Sequence, residues 1–255
     1  MKQPSLDQGY FDHANGPRKP VDRSKLERYG ENEWIAMLGH ELRNPVSAIG
    51  VGIELVKIQS LDPEQRTKTV DMMQRQVSQI VRLLDDLLDV ARFGKGKLEI
   101  ERKPVDLRQV GLDAVDTVRR LIEDRRHELL VTLPPAGTVC VRGDRARLIQ
   151  VVVNLLANAA KYTPPGGRIE LEIAGRAGGA TIAVRDTGIG IAGDFMPRIF
   201  DRFAQGRSAL HGADRGLGLG LTLVRDFVQL HGGKVEVSSA GENQGSEFKI
   251  ELPRT

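Results

Sequence analysis

Hydrophobic positions change their period part-way along this chain. From Trp34 onward, Ile35, Leu38, Leu42, Ile49 and Val56 recur at helical spacing, and Val46 and Ile53 widen the stripe. After the break Leu61-Asp62-Pro63 a second run appears: Val70, Met73, Val77, Ile80, Leu84, Leu87 and Ala91. That run alternates steps of three and four, the seam of a coiled coil or helical bundle. Two such helices joined by a short connection predict an antiparallel hairpin. A lone hairpin with apolar stripes on both arms leaves much of that surface wet, and pairing two hairpins into a four-helix bundle removes the problem. Residues 32–93 are therefore expected to form a homodimer.

Glycine and lysine at positions 94–97 mark a hinge, with 94–106 as linker, and the texture then becomes mixed α/β. Strands are expected at Leu98–Arg102, Leu129–Leu133, Val139–Arg142, Arg168–Ala174 and Ala180–Arg185, and a closing hairpin at Lys234–Ser238 with Glu247–Leu252. Helices are expected at Leu107–Glu123, Arg145–Lys161 and Leu219–Leu230. Strands in hairpin order with helices between them predict a sheet covered on one face. The fold class is thus α+β: a helical hairpin over 32–93, then an α/β sandwich with a mixed sheet over 107–255. Residues 1–31 are polar, carry several glycines and prolines, and read as a linker or disordered arm.

Composition narrows the partners. A net charge of +3 over 255 residues, with no block of like charges, gives no support to nucleic-acid binding. The single cysteine, Cys140, excludes an intramolecular disulfide, and its apolar neighbours predict a small buried residue. No run of about 18 apolar residues occurs and no signal-peptide order opens the chain, so it is not expected to insert in a membrane, and its expected location is the cytoplasm.

Candidate chemistry begins at His40, in the run His-Glu-Leu-Arg-Asn-Pro at 40–45. Relative to the Ile35–Leu42 seam, His40 falls on the opposite side of its helix and points to solvent. A neutral imidazole carries a nucleophilic nitrogen near physiological pH, and the adjacent Glu41 can orient it or take a proton. Pro45 removes one intrahelical bond and should bend or loosen the helix beyond His40.

Four motifs follow the hinge. On the helix ending at the stop Pro164-Pro165-Gly166-Gly167, residues Asn154, Asn158 and Lys161 share one face while Val151, Val152, Leu155 and Leu156 supply the packing face. Two carboxamides and an ammonium on one stripe suit a polar ligand such as metal-bound phosphate. Asp186-Thr-Gly188-Ile-Gly190-Ile follows a strand, with a carboxylate at the strand end and glycines that permit close backbone approach. Ile199–Phe203 comes third, its Phe200 and Phe203 reading as core aromatics. Gly216-Leu-Gly218-Leu-Gly220-Leu opens a helix, whose free N–H groups and dipole favour an anion. Residues 206–215 read equally as a lid or as an ordinary surface loop, and His13, His127, His211 and His231 show no ligand-like clustering.

In that order, these motifs resemble the sensor histidine kinases over residues 32–255, and the C-terminal part resembles the ATPase superfamily of type II topoisomerases, mismatch-repair ATPases and ninety-kilodalton heat-shock chaperones. The run at 40–45 looks like the phosphoacceptor box, and the later motifs look like the N, G1, F and G2 boxes. The resemblance implies ATP and Mg²⁺ as cofactors, His40 as the phosphorylated residue, Glu41 as its acid/base and Asn44 as the position tied to dephosphorylating a partner. It further implies Asn158 as the Mg²⁺ ligand supported by Asn154, Lys161 on phosphate, Tyr162 over adenine and Asp186 on the adenine amino group. Gly188 and Gly190 would line that pocket, and Gly216, Gly218 and Gly220 would close on the phosphates. The implied acceptor of the phosphoryl group is an aspartate in the receiver domain of a response regulator.

Three rivals are weaker. A serine kinase or anti-sigma factor of the same superfamily lacks the hairpin with its histidine, and a topoisomerase-type clamp needs transducer domains absent here. A catalytically silent dimeric scaffold that binds ATP without using it would not need the full set of chemical residues.

Overall fold

A computed structural model describes residues 23–58, 62–94, 96–206 and 217–253, with side chains placed from Leu38 onward. Two long helices, α1 (Arg23–Lys57) and α2 (Pro63–Gly94), form the hairpin. The helix α1 starts at Arg23, so the boundary expected at residue 31 falls inside a helix; residues 1–22 of that arm lie outside the described residues. The helix also runs unbroken through Pro45, which is buried. Asp62 starts α2 as an N-cap, its Oδ2 accepting from the Glu64 and Gln65 N–H groups at 3.1 and 3.3 Å, with Pro63 in the first-turn position proline favours. The arms close tightly at Gly52, where a methyl group would lie 2.6 Å from Met73 Cγ.

The seam expected on α2 divides into two faces. Met73, Ile80 and Leu87 are half-buried, whereas Val70, Val77 and Leu84 are exposed, in line with exposed Val81 and Leu88. On α1, Val46, Val51, Ile53 and Leu55 are exposed as well. One protomer therefore leaves a long apolar surface uncovered.

Beyond the hinge the order is β1 (Lys103–Asp106), α3 (Leu107–Asp124), β2 (Glu128–Thr132), β3 (Cys140–Gly143), α4 (Arg145–Tyr162), β4 (Arg168–Arg176), β5 (Gly179–Asp186), a 3₁₀ turn (Met196–Arg198), α5 (Gly220–Leu230), β6 (Lys234–Ser238) and β7 (Ser246–Pro253). The main sheet has the order β2-β4-β5-β7-β6, with β2 parallel to β4 and the other pairs antiparallel. Its inner residues Ile169, Leu171, Ile173, Ile182 and Ile250 pack against Val110 and Val118 of α3, Leu148, Leu155 and Leu156 of α4, and Leu223 and Phe227 of α5. The opposite face is polar, and Arg185 bridges Glu172 and Glu247 across neighbouring strands at 2.8 and 2.7 Å. Burying a leucine such as Leu156, which is 0% exposed, contributes roughly 1.5–3 kcal/mol to holding the helices on the sheet.

Two local expectations differ. Residues 98–102 form no ladder; Leu98 is buried, but the Glu101 N–H donates to Asp144 Oδ2 at 3.3 Å and the Arg102 guanidinium to the Leu230 carbonyl at 2.6 Å. The strand starts at Lys103 and pairs with β3 in a separate two-stranded sheet. Cys140 is exposed rather than buried, because β3 alternates and turns Val141 and Gly143 inward.

Candidate active site

Helix α4 positions the polar stripe. Its start is fixed by Asp144, whose Oδ1 accepts from the Ala146 and Arg147 N–H groups at 3.0 and 3.2 Å. With Val151, Val152, Leu155 and Leu156 turned into the core, Asn154, Asn158, Lys161 and Tyr162 fall on a half-buried flank. Asn154 Nδ2 donates to the Gly220 carbonyl at 3.3 Å, joining α4 to the start of α5. Lys161 Nζ stands 5.0 Å over the Tyr162 ring, a cation–π contact. Asn158 lies between these two contacts in the chain and forms no hydrogen bond among the described residues.

The second wall is the end of β5. Asp186 Oδ1 accepts from the Gly188 N–H at 2.8 Å and Oδ2 from the Ser246 hydroxyl at 2.5 Å, so the half-buried carboxylate is held from both sides. The loop after it is sewn to α4: Ile189 N–H donates to the Tyr162 carbonyl at 3.0 Å. A methyl group at Gly188 would lie 2.5 Å from that same carbonyl oxygen, and one at Gly190, where φ is +67°, would lie 2.0 Å from the Gly241 carbonyl oxygen. These two glycines thus let backbone approach backbone within the protein.

The third wall is the start of α5. Gly218, with φ +68°, packs so closely on the Ala204 carbonyl that a methyl group would sit 2.8 Å from it. Gly216 and residues 207–215 of the expected lid lie outside the described residues. Helix α3 is capped by Asp106 and α4 by Asp144, yet α5 begins after Leu219 with no side-chain cap. Among the described residues no side chain caps its first-turn N–H groups, which lie with the positive dipole end beside Asn154. Phe200 and Phe203 pack against the core as half-buried aromatics, Phe200 edge-on to Phe248 with ring centroids 6.4 Å apart.

On the hairpin, His40 is exposed on α1, and Asn44, one turn on, is exposed too. Glu41 is buried, 8% exposed, so it faces inward instead of sharing the surface of His40. The remaining histidines within the described residues are structural. His127 Nε2 hydrogen-bonds the Ala160 carbonyl at 3.0 Å, and His231 Nε2 accepts from the Asp144 N–H at 2.9 Å while its Nδ1 pairs with the Phe227 carbonyl at 2.7 Å. His13 and His211 lie outside the described residues.

Two family matches divide the chain along the same lines. Residues 31–96 match the His Kinase A (phospho-acceptor) domain, and residues 143–255 match the histidine kinase-, DNA gyrase B- and HSP90-like ATPase. A solved mycobacterial sensor histidine kinase, MprB, is 33% identical, with a TM-score of 0.50, covering 60% of this chain and 97% of that one. The chain belongs to the sensor histidine kinases. Among relatives, the adaptive-response sensory kinase SasA of Thermosynechococcus vestitus is 34% identical over 92% of this chain and 63% of its own length. The structure of full-length ShkA in complex with AMPPNP is 29% identical with a TM-score of 0.60, covering 87% of this chain and 45% of that one. Across eight curated relatives that it matches, this chain spans from 26% to 63% of their length.

One site residue escaped the sequence reading. Ser246, the first residue of β7, stands opposite Asp186 in the ladder and orients its carboxylate. Its signal was faint: a serine after Gly245 at the start of the last strand.

Proposed function

We propose that this histidine kinase chain uses ATP to phosphorylate itself on His40 and then passes the phosphoryl group to an aspartate in a response regulator's receiver domain. The observation that carries the reading is the juxtaposition of α4 and α5. An unpartnered, half-buried Asn158 carboxamide lies on the same helical stripe as Asn154, which is bonded to the open, uncapped start of α5. That geometry fits a magnesium nucleotide: carboxamide oxygen suits a hard divalent cation, and open N–H groups suit phosphate oxygens. Asn158 would hold Mg²⁺, supported by Asn154, and the ion would neutralise charge on the phosphates. Lys161 and the glycines Gly216, Gly218 and Gly220 contact the phosphates; Tyr162 covers the adenine and Asp186 accepts from its amino group, in a pocket edged by Gly188 and Gly190.

Phosphoryl transfer asks for alignment and charge neutralisation more than for covalent work by the protein. A ring nitrogen of His40 attacks the γ-phosphorus. The P–N bond forms as the bond to the β,γ-bridging oxygen breaks and ADP leaves, while the ring proton passes to Glu41, which must first turn out of its buried position to reach the ring. The phosphoramidate so formed is labile enough to move to a carboxylate. Asn44, beside His40 on the same exposed face, serves the reverse duty of removing phosphate from the regulator.

The working unit is a homodimer through residues 32–93, since the exposed stripe Val70, Val77, Val81, Leu84 and Leu88 needs an apolar cover. No helix among the described residues is long and apolar enough to cross a membrane, and dependence on ATP assigns the reaction to the cytoplasm.

The test is incubation of the purified chain with Mg²⁺ and γ-labelled ATP beside the variants His40→Ala and Asn158→Ala. The expected result is acid-labile, base-stable label on the unmodified chain and on neither variant. ATP binding without label would favour the silent scaffold instead.

A further inference from the structure

A compact polar contact ties α2 to the ATP-binding domain, outside every motif that carries the family resemblance. Asp89 on α2 is only 3% exposed. The Arg147 guanidinium donates to both its oxygens, Nη1 to Oδ2 at 2.5 Å and Nη2 to Oδ1 at 2.9 Å, a bidentate fork. Arg147 also lies over the Phe227 ring, 4.9 Å from its centroid, and donates to Gln150 Oε1 at 2.9 Å. Gln150 Nε2 in turn donates to Asp86 Oδ1 at 3.1 Å, one turn before Asp89. Around this chain of bonds Val90 joins the main core, Leu83 and Phe93 pack against it, and the Arg202 guanidinium lies beside Gly94 at the hinge.

Arg147 and Gln150 sit on the first turns of α4, the helix that presents Asn154 and Asn158. While the fork is closed, the nucleotide site is fastened to α2. His40 is on α1, exposed, and not covered by the ATP-binding domain in this arrangement. Transfer to the His40 of its own chain therefore requires the domain to leave α2.

We propose that Asp89 and Arg147, with Asp86 and Gln150 as a second point, form a clasp that parks the ATP-binding domain on α2 and restrains phosphorylation of His40. The physical lever is desolvation. Asp89 loses water only in the parked state, so its cost is offset there by the guanidinium alone. Remove Arg147 and the parked state holds an unpaired buried charge, which undocking relieves by returning Asp89 to water. The population then shifts to the released state without loss of either domain's own core.

This inference rests on the reading of His40 as acceptor for its kinetic readout but not for its structural one. The experiment compares the full chain with Arg147→Gln, Asp89→Asn and the charge exchange Asp89→Arg with Arg147→Asp. Two readouts are taken: the initial rate of His40 labelling at saturating Mg²⁺-ATP, and the maximal dimension from solution X-ray scattering. Either single variant is expected to raise the labelling rate about 5-fold or more, the lower range of two-state coupling, and to lengthen the maximal dimension, with nucleotide affinity unchanged. The exchange variant is expected to return both toward the unmodified chain. Because Asp89→Asn lies on α2, outside the ATP-binding domain, it keeps the test valid if Arg147→Gln misfolds. Labelling rates at or below the unmodified value with unchanged dimensions would overturn the clasp. Longer dimensions without any label on any form would uphold the clasp and contradict the kinase reading.

Discussion

The helical hairpin and the ATP-binding domain solve burial in opposite ways. In the domain beyond the hinge, three helices cover one face of a five-stranded sheet, and residues such as Leu148, Leu156, Ile182 and Phe227 are 0% exposed. In the hairpin, Val51 is 61% exposed, and Val77, Val81 and Leu88 are each about half uncovered. One region completes its core within a single chain. The other is built from amphipathic helices whose outer stripes have no cover in the protomer, so in the proposed homodimer its stability and its assembly would be one property.

The contrast is broken most severely by charge in the open stripe. Val77→Glu with Leu84→Glu should convert the dimer to monomer in light scattering at micromolar concentration. Each unpaired carboxylate in an apolar seam costs on the order of 3 to 5 kcal/mol, and symmetry doubles it. The ATP-binding domain should keep its own unfolding transition. A dimer that survives both charges would remove the argument from exposed surface.

Leu156→Ala is the complementary change. It should lower the stability of the ATP-binding domain by about 2–5 kcal/mol in urea unfolding while leaving the mass of the assembly unchanged. A fall in mass instead would mean that the domains do not stabilise independently.

A smaller effect comes from His231, which joins the end of α5 to the start of α4. Burial lowers its pKa, against the opposing pull of the Phe227 carbonyl and the Asp144 charge. Below about 6.5, the ordinary histidine value, the unfolded chain takes up a proton that the folded site resists. Stability should therefore decline as pH drops from 7.5 to 5.5, by about 1 kcal/mol, the scale of one lost hydrogen bond. His231→Gln should flatten that slope in thermal unfolding at the two pH values.

The smallest expected effect lies at the contact between the regions. Burial against α4 raises the Asp86 pKa to about 6, opposed by the Gln150 hydrogen bond and Arg82 and assisted by Asp89 and Asp85 on its own helix. Arg147 is the charged group that α4 adds nearby. Undocking returns Asp86 toward 3.8, so the docked form binds more protons between those values and docking should strengthen as pH falls through about 6. Scattering at pH 7.5 and 5.5 should show a slightly shorter maximal dimension at the lower value, and Asp86→Asn should abolish the difference.

What was legible in the residues follows the same division. Helices α3, α4 and α5 were placed nearly to the residue, because each has a single apolar face and a clear stop. The polar stripe Asn154, Asn158 and Lys161 was readable because nothing in core packing asks for carboxamides there. The hairpin was readable as helices, but not which seam residue faces the other arm and which faces outward, since Val70 and Met73 are equally apolar. Strand β1 was misplaced because Leu98 and Ile100 mimic strand alternation, whereas the ladder with β3 runs from Lys103 to Asp106, the residue that also caps α3. Asp89 with Arg147, and Ser246 with Asp186, join residues about 60 positions apart and leave no local trace.

The most direct test of the whole account is to locate the phosphate. After exposure of the full chain to Mg²⁺-ATP, phosphorus NMR of the protein and peptide mapping at neutral or basic pH should find one phosphoramidate, on His40, absent from His40→Gln with its nucleotide affinity intact. A phosphate ester on serine or threonine, or a phosphoramidate on another histidine, would contradict the account.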